Sequence, residues 1–264
     1  MYKNYLIVAS KIDKAGINIT TQLSQFGNMN FYLVENEVIF TENLNTEKFS
    51  HYDFIIFASR HVSEKAEKTI SIHAPGNWAE AKFGGQAGRI CKTSALFQKQ
   101  LFEKLKKNIE KFDLRKYDLT LECTHHGPLI NKPCIFVEIG ATEEEWKDRR
   151  AGFVVAKSIL ETMEEFKENP YNEIAIGIGG PHYCPNFNKI QLNSNIAISH
   201  IIPQYALPLT EEMVQEAIAG TEEDIDMILL DWKGLGNSEQ RQQAMEVLNK
   251  FYIQKRKTSD FTSK

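Results

Sequence analysis

Short apolar runs, each closed by a polar or glycine-bearing turn, recur along this chain with amphipathic stretches between them. That alternation confines it to the α/β class. The runs fall at 5–9, 31–34, 38–40, 54–58, 70–73, 119–123, 134–139, 174–178, 196–202 and 227–230, each read as a strand. Phe97, Leu101, Leu105 and Ile109 predict an amphipathic helix over 94–109, with Lys99, Lys104, Lys106 and Lys107 on its other face. Thr142 with Glu145 fits a capping box opening a helix to about 168, with Trp146, Val154, Ile159 and Met163 inward and Asn169-Pro170 ending it. Further helices are predicted over 211–219, behind Thr210, and over 239–252, and the tail from Lys255 reads as frayed. The expected architecture is a mixed sheet flanked by helices. With 264 residues, 42% of them hydrophobic, it forms one domain over 1–264, with lobes 1–110 and 111–264 as its subdivision.

Charge and thiols narrow the class. Acidic residues number 35 against 31 basic, a net charge of -4, which argues against a dedicated nucleic-acid coat protein but allows a local basic patch. The four cysteines, Cys91, Cys123, Cys134 and Cys184, form no CxxC pair and lie in or beside apolar stretches, as reduced thiols of a cytosolic protein do. The apolar run near the N-terminus is too short for a signal sequence or a membrane span, so the expected location is cytoplasmic, with no membrane and no obligate protein partner.

The chemistry concentrates in turns. Five of the 7 histidines follow strand-like runs: His61, His73, His125, His126 and His182. Imidazole titrates near neutrality and is the commonest metal ligand, and open α/β sheets collect ligands beyond strand ends. One polar site built from several strand ends is therefore expected. In ECTHHGP, successive side chains of an extended segment point apart, so His125 and His126 share one ion only if the chain turns between them. Otherwise one is ligand and the other base, or both bond to backbone. Glu122 precedes this turn, and Glu138 lies in the strand FVEIG. A carboxylate among Ile, Phe and Val costs several kcal/mol unless it faces solvent or has a partner such as an imidazole. In GIGGPHY, Gly179 and Gly180 would expose amides to an anion beside His182 and Tyr183. The loop from His73 to Arg89, with Gly76, Asn77, Trp78, Lys82 and Arg89, suits a phosphate backbone and a stacked base, or a lid packed by its own aromatics. HExxH, GxSxG and Rossmann fingerprints are absent.

In this order, SRH (59–61), HAPGN (73–77), ECTHHGP (122–128), FVEIGATEEEW (136–146) and GIGGPHY (177–183) make the chain resemble the archaeal and plant type of D-aminoacyl-tRNA deacylase. The resemblance spans most of the chain. Ala141 stands where that pattern more often has Ser, and Pro181, which removes an amide donor beside His182, where it more often has Gly. The resemblance implies a fold related to peptidyl-tRNA hydrolases and nucleoside phosphorylases, zinc dependence, and hydrolysis of the ester between a D-amino acid and the acceptor end of tRNA. It places the pocket at His73, Gly76, Asn77, Glu122, His125, His126, Glu138, Gly179, Gly180, His182 and Tyr183. Two routes stay open. His73, His125 and His182 with water would make a catalytic zinc site; alternatively His126 acts as base, with Glu122 and Glu138 beside it and backbone amides holding the oxyanion. The competing functions are a non-catalytic tRNA- or nucleotide-binding module and a phosphorylase or peptidyl-tRNA hydrolase-like enzyme.

Overall fold

The computed structural model describes residues 2–168, 170–171 and 173–261. In chain order its elements are β1 (Tyr5–Ser10), α1 (Lys14–Leu23), β2 (Phe31–Val34), β3 (Phe54–Arg60), β4 (Thr69–His73), β5 (Gly76–Asn77), β6 (Arg89–Ile90), α2 (Ala95–Lys111), β7 (Asp118–Leu121), β8 (Cys134–Gly140), α3 (Glu143–Trp146), α4 (Arg149–Glu165), β9 (Glu173–Ile178), α5 (Pro185–Asn193), β10 (Ile196–Ile202), α6 (Glu211–Ala219), β11 (Met227–Leu230), α7 (Ser238–Leu248) and β12 (Gln254–Lys257). One sheet runs β2-β1-β3-β8-β4-β7, parallel except where β4 meets β8; a second, all-parallel sheet runs β10-β9-β11-β12.

Strand alternation gives the first sheet two unlike faces. Ile7, Ala9, Ile56, Ala58, Ile70, Ile72, Ile135, Val137 and Ile139 join Phe97, Leu101, Val154 and Ile159 of α2 and α4 in one core. That core continues through Ala175, Ile198 and Leu229 of the second sheet, so the two sheets share an interior. The opposite face carries Leu6, Val8, Ile55, Phe57 and Phe136, covered by Val38, Leu44, Phe49, Cys91 and Ile130 from irregular segments instead of a helix. At one end this loop-covered face turns polar. Register aligns Ser59, Glu138 and Ser71 across three strands, and places His73 beside Phe136.

Several local expectations change. Residues 38–40 form a single 3-10 turn, with Val38 plugged into the core, instead of a strand. The helix behind Thr142 keeps its capping box but stops at Trp146. Asn18 Nδ2 donates to the carbonyls of Trp146 and Asp148, and the Asp148 carboxylate caps a new helix at Arg150 and Ala151. That helix ends at Glu165, so the predicted stop begins later, and its Asn169 lies outside the described residues. The last helix ends at Leu248, and the polar segment from Gln254 to Lys257 pairs with β11 instead of fraying, while 262–264 lie outside the described residues. Lys99 is not on a solvated face: its ammonium is buried against the carbonyls of Gln191 (2.5 Å) and Ser194 (2.9 Å). The sequence also hid α1 and α5. Gly16 and the β-branched Ile17, Ile19, Thr20 and Thr21 make α1 a poor intrinsic helix. It forms because Asp13 caps it, and because Gly16 lets it approach β3; a Cβ there would sit 2.6 Å from the Ala58 carbonyl oxygen. Strands on both sides of residue 111 pair in one sheet, and the second sheet is built from β9 onward. All four cysteines are free and buried, and among the described residues no helix is long and apolar enough to cross a membrane.

The second sheet holds a histidine unrelated to the turns. His200 of β10 is fully buried; its Nε2–H donates to the Gly220 carbonyl (3.1 Å), leaving Nδ1 to accept from Thr124 Oγ1 (3.0 Å). Burial pushes its pKa down to about 4. The unfolded chain, with an ordinary value near 6.5, then binds the proton first. Folding stability is full above about pH 6.5 and declines as pH falls toward 4, by about 2 kcal/mol from this group between pH 6.5 and 5. Urea unfolding at pH 7.5 and 5.0 should show this loss reduced in His200→Gln; parallel losses would show that His200 does not carry it.

Candidate active site

Four segments deliver the polar cluster, and local backbone explains each. The polar face of β8 presents Glu138, and β4 ends on His73, whose ring stacks on Phe136 at 5.2 Å. Beyond β7, alternation puts Glu122 on the same face and Cys123 in the apolar core. His126 adopts a left-handed backbone (φ 44°), which supplies the turn that lets both histidines of ECTHHGP face one way. The second sheet contributes His182: Cys123 N donates to the His182 carbonyl and Thr124 N to that of Ile201, both at 3.0 Å. Because β4 runs against β8, the site sits over the end of a sheet face and not at a common carboxyl edge.

The rings of His73, His125 and His126 lie 4.2 to 4.8 Å apart, and His182 is 4.6 Å from His125. Each of the first three engages a carbonyl through Nδ1: Ala74 (3.2 Å), Cys123 (2.8 Å) and Gly127 (2.6 Å). As Nδ1–H donors they leave Nε2 lone pairs free, and His73 Nε2 is a buried atom without a hydrogen-bond partner. Glu122 Oε2 stands 3.2 Å from His182 Nε2 and 3.5 Å from His125 Nε2, while Glu138 Oε1 stands 3.9 Å from His73 Nε2. Burial alone would raise both carboxyls. The adjoining His182 nevertheless holds Glu122 down at about 2, and His61 holds Glu138 far below the ordinary range. Burial pushes His125 well down and His126 to about 4, so both are neutral. Against its burial, bonding to Cys123 and Glu122 lifts His182 to about 10.

Fixed Nδ1 contacts, the neutral rings of His125 and His126, and the orphaned Nε2 of His73 suit a soft or borderline cation. His73, His125 and His126 can each offer an atom within 4.8 Å of the others. His182 joins other triplets, with Cys123 and His125 or with His61 and Glu122. The expected trio of His73, His125 and His182 is not among these groups; the group that holds His73 and His125 has His126 as its third member.

His125, His126, Glu138 and His182 line a cleft of about 380 Å³ with Asp13, Glu37, Arg60, His61, Val62 and Phe83, while His73 and Glu122 lie behind them. An adjoining cavity of about 560 Å³ shares Phe83, His125 and His126 and adds Gly76, Asn77, Trp78, Lys82 and Tyr205. Phe83 and Tyr205 are 63% and 62% exposed, whereas Trp78 is 7% exposed and so is not the open aromatic platform its sequence position suggested. The glycine loop is fitted to the histidine turn: a Cβ on Gly127 would lie 2.3 Å from Gly85 N. Lys82 pairs with Glu80 and Arg89 with Glu216, both at the surface. Gly179 and Gly180 do not reach the clefts. Gly179 N–H is spent on the Ile202 carbonyl, and both pack against the 231–235 turn, which leaves no free Gly179 amide for an anion. The Tyr183 hydroxyl meets His61 Nε2 at 2.8 Å. Of the further residues brought to the site, His61 has its sequence signal in its place directly after a buried strand and Phe83 in its place among the aromatics of the His73–Arg89 loop, whereas Cys123 and Tyr205 carry none.

Comparison with known proteins places this geometry among relatives. A family model described as D-aminoacyl-tRNA deacylase matches residues 48–255. A protein of Pyrococcus furiosus named D-aminoacyl-tRNA deacylase is 36% identical, over 94% of this chain and 98% of its own length. One of the same name from Methanocaldococcus jannaschii is 31% identical, over 90% and 93% respectively. A crystal structure of a conserved protein of unknown function superposes with a TM-score of 0.89 at 29% identity, covering 98% of this chain and 96% of that one.

The hydrogen bonds fix a ring state that can be measured. In metal-stripped, histidine-labelled protein, long-range 15N–1H spectra should show His125 and His126 as neutral Nδ1–H tautomers from pH 8 to 5. Protonation of either ring above pH 6 would contradict this arrangement.

Proposed function

The chain belongs to the D-aminoacyl-tRNA deacylase family, whose reaction is hydrolysis of the ester joining a D-amino acid to tRNA, and we propose that the cluster around Glu122 and Glu138 carries out that reaction. The observation behind this reading is the convergence of three imidazoles, each fixed through Nδ1, beside two ionised buried carboxylates at the wall of an open cleft that His125, His126 and Glu138 line. His73, His125 and His126 would hold zinc, which when bound supplies Lewis-acid polarisation and acidifies water. The remaining groups divide the proton traffic. Glu122 takes a proton from the attacking water as its oxygen adds to the ester carbonyl carbon. Protonated His182, which lines the cleft, gives a proton to the ribose 3′ oxygen as the carbon–oxygen bond breaks. Glu122 then returns its proton across the 3.2 Å contact to His182.

The two cavities divide the substrate. The amino acid enters between Val38, Ile39 and Val62, with its α-ammonium toward Asp13, Glu37 and Glu138. The terminal adenosine stacks on Phe83 or Tyr205 in the neighbouring cavity, near Gly76, Asn77 and Lys82. Chiral choice follows from fixing ammonium and carbonyl together, which leaves one position for the side chain. Lys82 and Arg89 are the basic groups of the loop edging this cavity, and phosphate contacts there make affinity fall with salt.

Hydrolysis of D- and L-aminoacyl-tRNA, with and without chelator, tests the reading. The D-ester should be cleaved far faster without added phosphate, and chelation should abolish turnover until zinc is restored. His125→Ala, His126→Ala and His182→Ala should each cost about 10²-fold or more. Equal rates on both enantiomers, or full activity in all three variants, would overturn it; a phosphate requirement would favour the phosphorylase reading, and binding without turnover a binding module. Separately, Phe83→Ala should raise KM roughly tenfold with kcat little changed, the weight of one base stack. An unchanged KM would move the adenosine elsewhere.

A further inference from the structure

His61 touches both buried carboxylates. Its Nδ1 stands 3.1 Å from Glu122 Oε1 and 3.5 Å from Glu138 Oε2. Its Nε2 stands 2.8 Å from the Tyr183 hydroxyl. The ring cannot drift. His61 N donates to the Ile139 carbonyl at 3.0 Å, and Trp146 Nε1 donates to the His61 carbonyl at 3.0 Å. A Cβ on Gly140 would lie 2.7 Å from His61 Cβ, so β8 is packed directly against it. His61 itself is 6% exposed.

We propose that His61 is the positioning residue of the site, with its Nδ1 within 3.5 Å of an oxygen of both Glu122 and Glu138 and setting the rotation of both carboxylates. This rests on the deacylase reading for its activity test only. One proton donor between two carboxylates fixes which oxygen each turns away. Glu122 thereby directs Oε2 to His125 and His182, and Glu138 directs Oε1 to His73. Tyr183 completes the chain by donating its hydroxyl hydrogen to Nε2, which selects the Nδ1–H tautomer that the carboxylates require. Tyr183 therefore acts through His61 and not on substrate, and the histidine of SRH governs three rings that it does not touch through a nitrogen.

Asparagine separates this role from a merely structural one, because its amide nitrogen falls close to the place of imidazole Nδ1. His61→Ala should lower kcat on D-aminoacyl-tRNA by about 10- to 100-fold with KM nearly constant, the usual cost of losing an outer-shell partner. His61→Asn should recover most of that loss, and Tyr183→Phe should fall between. Long-range 15N–1H spectra of metal-stripped His61→Ala should show His125 and His182 with altered tautomer populations, restored in His61→Asn. Zinc affinity measured on the same proteins should follow the same order. The spectra and zinc titrations decide the matter even if wild type proves inert toward D-aminoacyl-tRNA, which would instead overturn the deacylase reading. Should the alanine variant not fold, the asparagine and phenylalanine variants still decide. Wild-type spectra, zinc affinity and kcat in His61→Ala, or an asparagine variant as impaired as alanine, would overturn the proposal.

Discussion

Two carboxylates held ionised in buried positions are the constraint around which this molecule is organised. Glu122 and Glu138 are 1% and 3% exposed, and an isolated buried carboxylate would neutralise itself before accepting such a place. Neither does, because His61 and His182 stand against them with N–H groups to offer, while His73 and His125 close in from the first sheet and the turn after β7. Every one of these neighbours is in turn anchored to a main-chain carbonyl, a thiol or a phenol. The polar cluster is costly as a set of parts and self-consistent as a network.

The cluster has room because the two faces of the first sheet are finished differently. Helices α1, α2 and α4 seal one face with close-packed aliphatic side chains. The other is covered by loops, and loops can carry short polar side chains and left-handed residues that a packed helix does not tolerate. Glu138 shows how small the difference is. Its neighbours Val137 and Ile139 point into the sealed core, and one step of alternation turns its carboxylate to the open side.

Much of this was legible in the sequence. Period and run length identified most strands, since burial on both faces leaves near-continuous apolar runs, and Thr142 with Glu145 marked its capping box. The histidine turns marked the cluster. What failed depended on tertiary partners. Lys99 lies on a helix face that reads as solvated, and only the arrival of the α5 C-terminus buries it. Helix α1 has weak propensity and relies on a close fit against β3. The glycines of GIGGPHY look suited to an anion, yet another turn of the chain fills the space beside them. His61 was visible only as one more histidine after a strand, because its importance lies in the two carboxylates converging on it from distant segments.

The segment that follows β7 is sewn between the sheets, bonded to Ile72 on one side and to His182 and Ile201 on the other. Neither sheet alone assembles the cluster: the first lacks His182, and the second lacks both carboxylates. The seam between the sheets is therefore where the polar groups meet, and anything that loosened the segment after β7 would part His182 from Glu122 while leaving each sheet's own strand pairing intact.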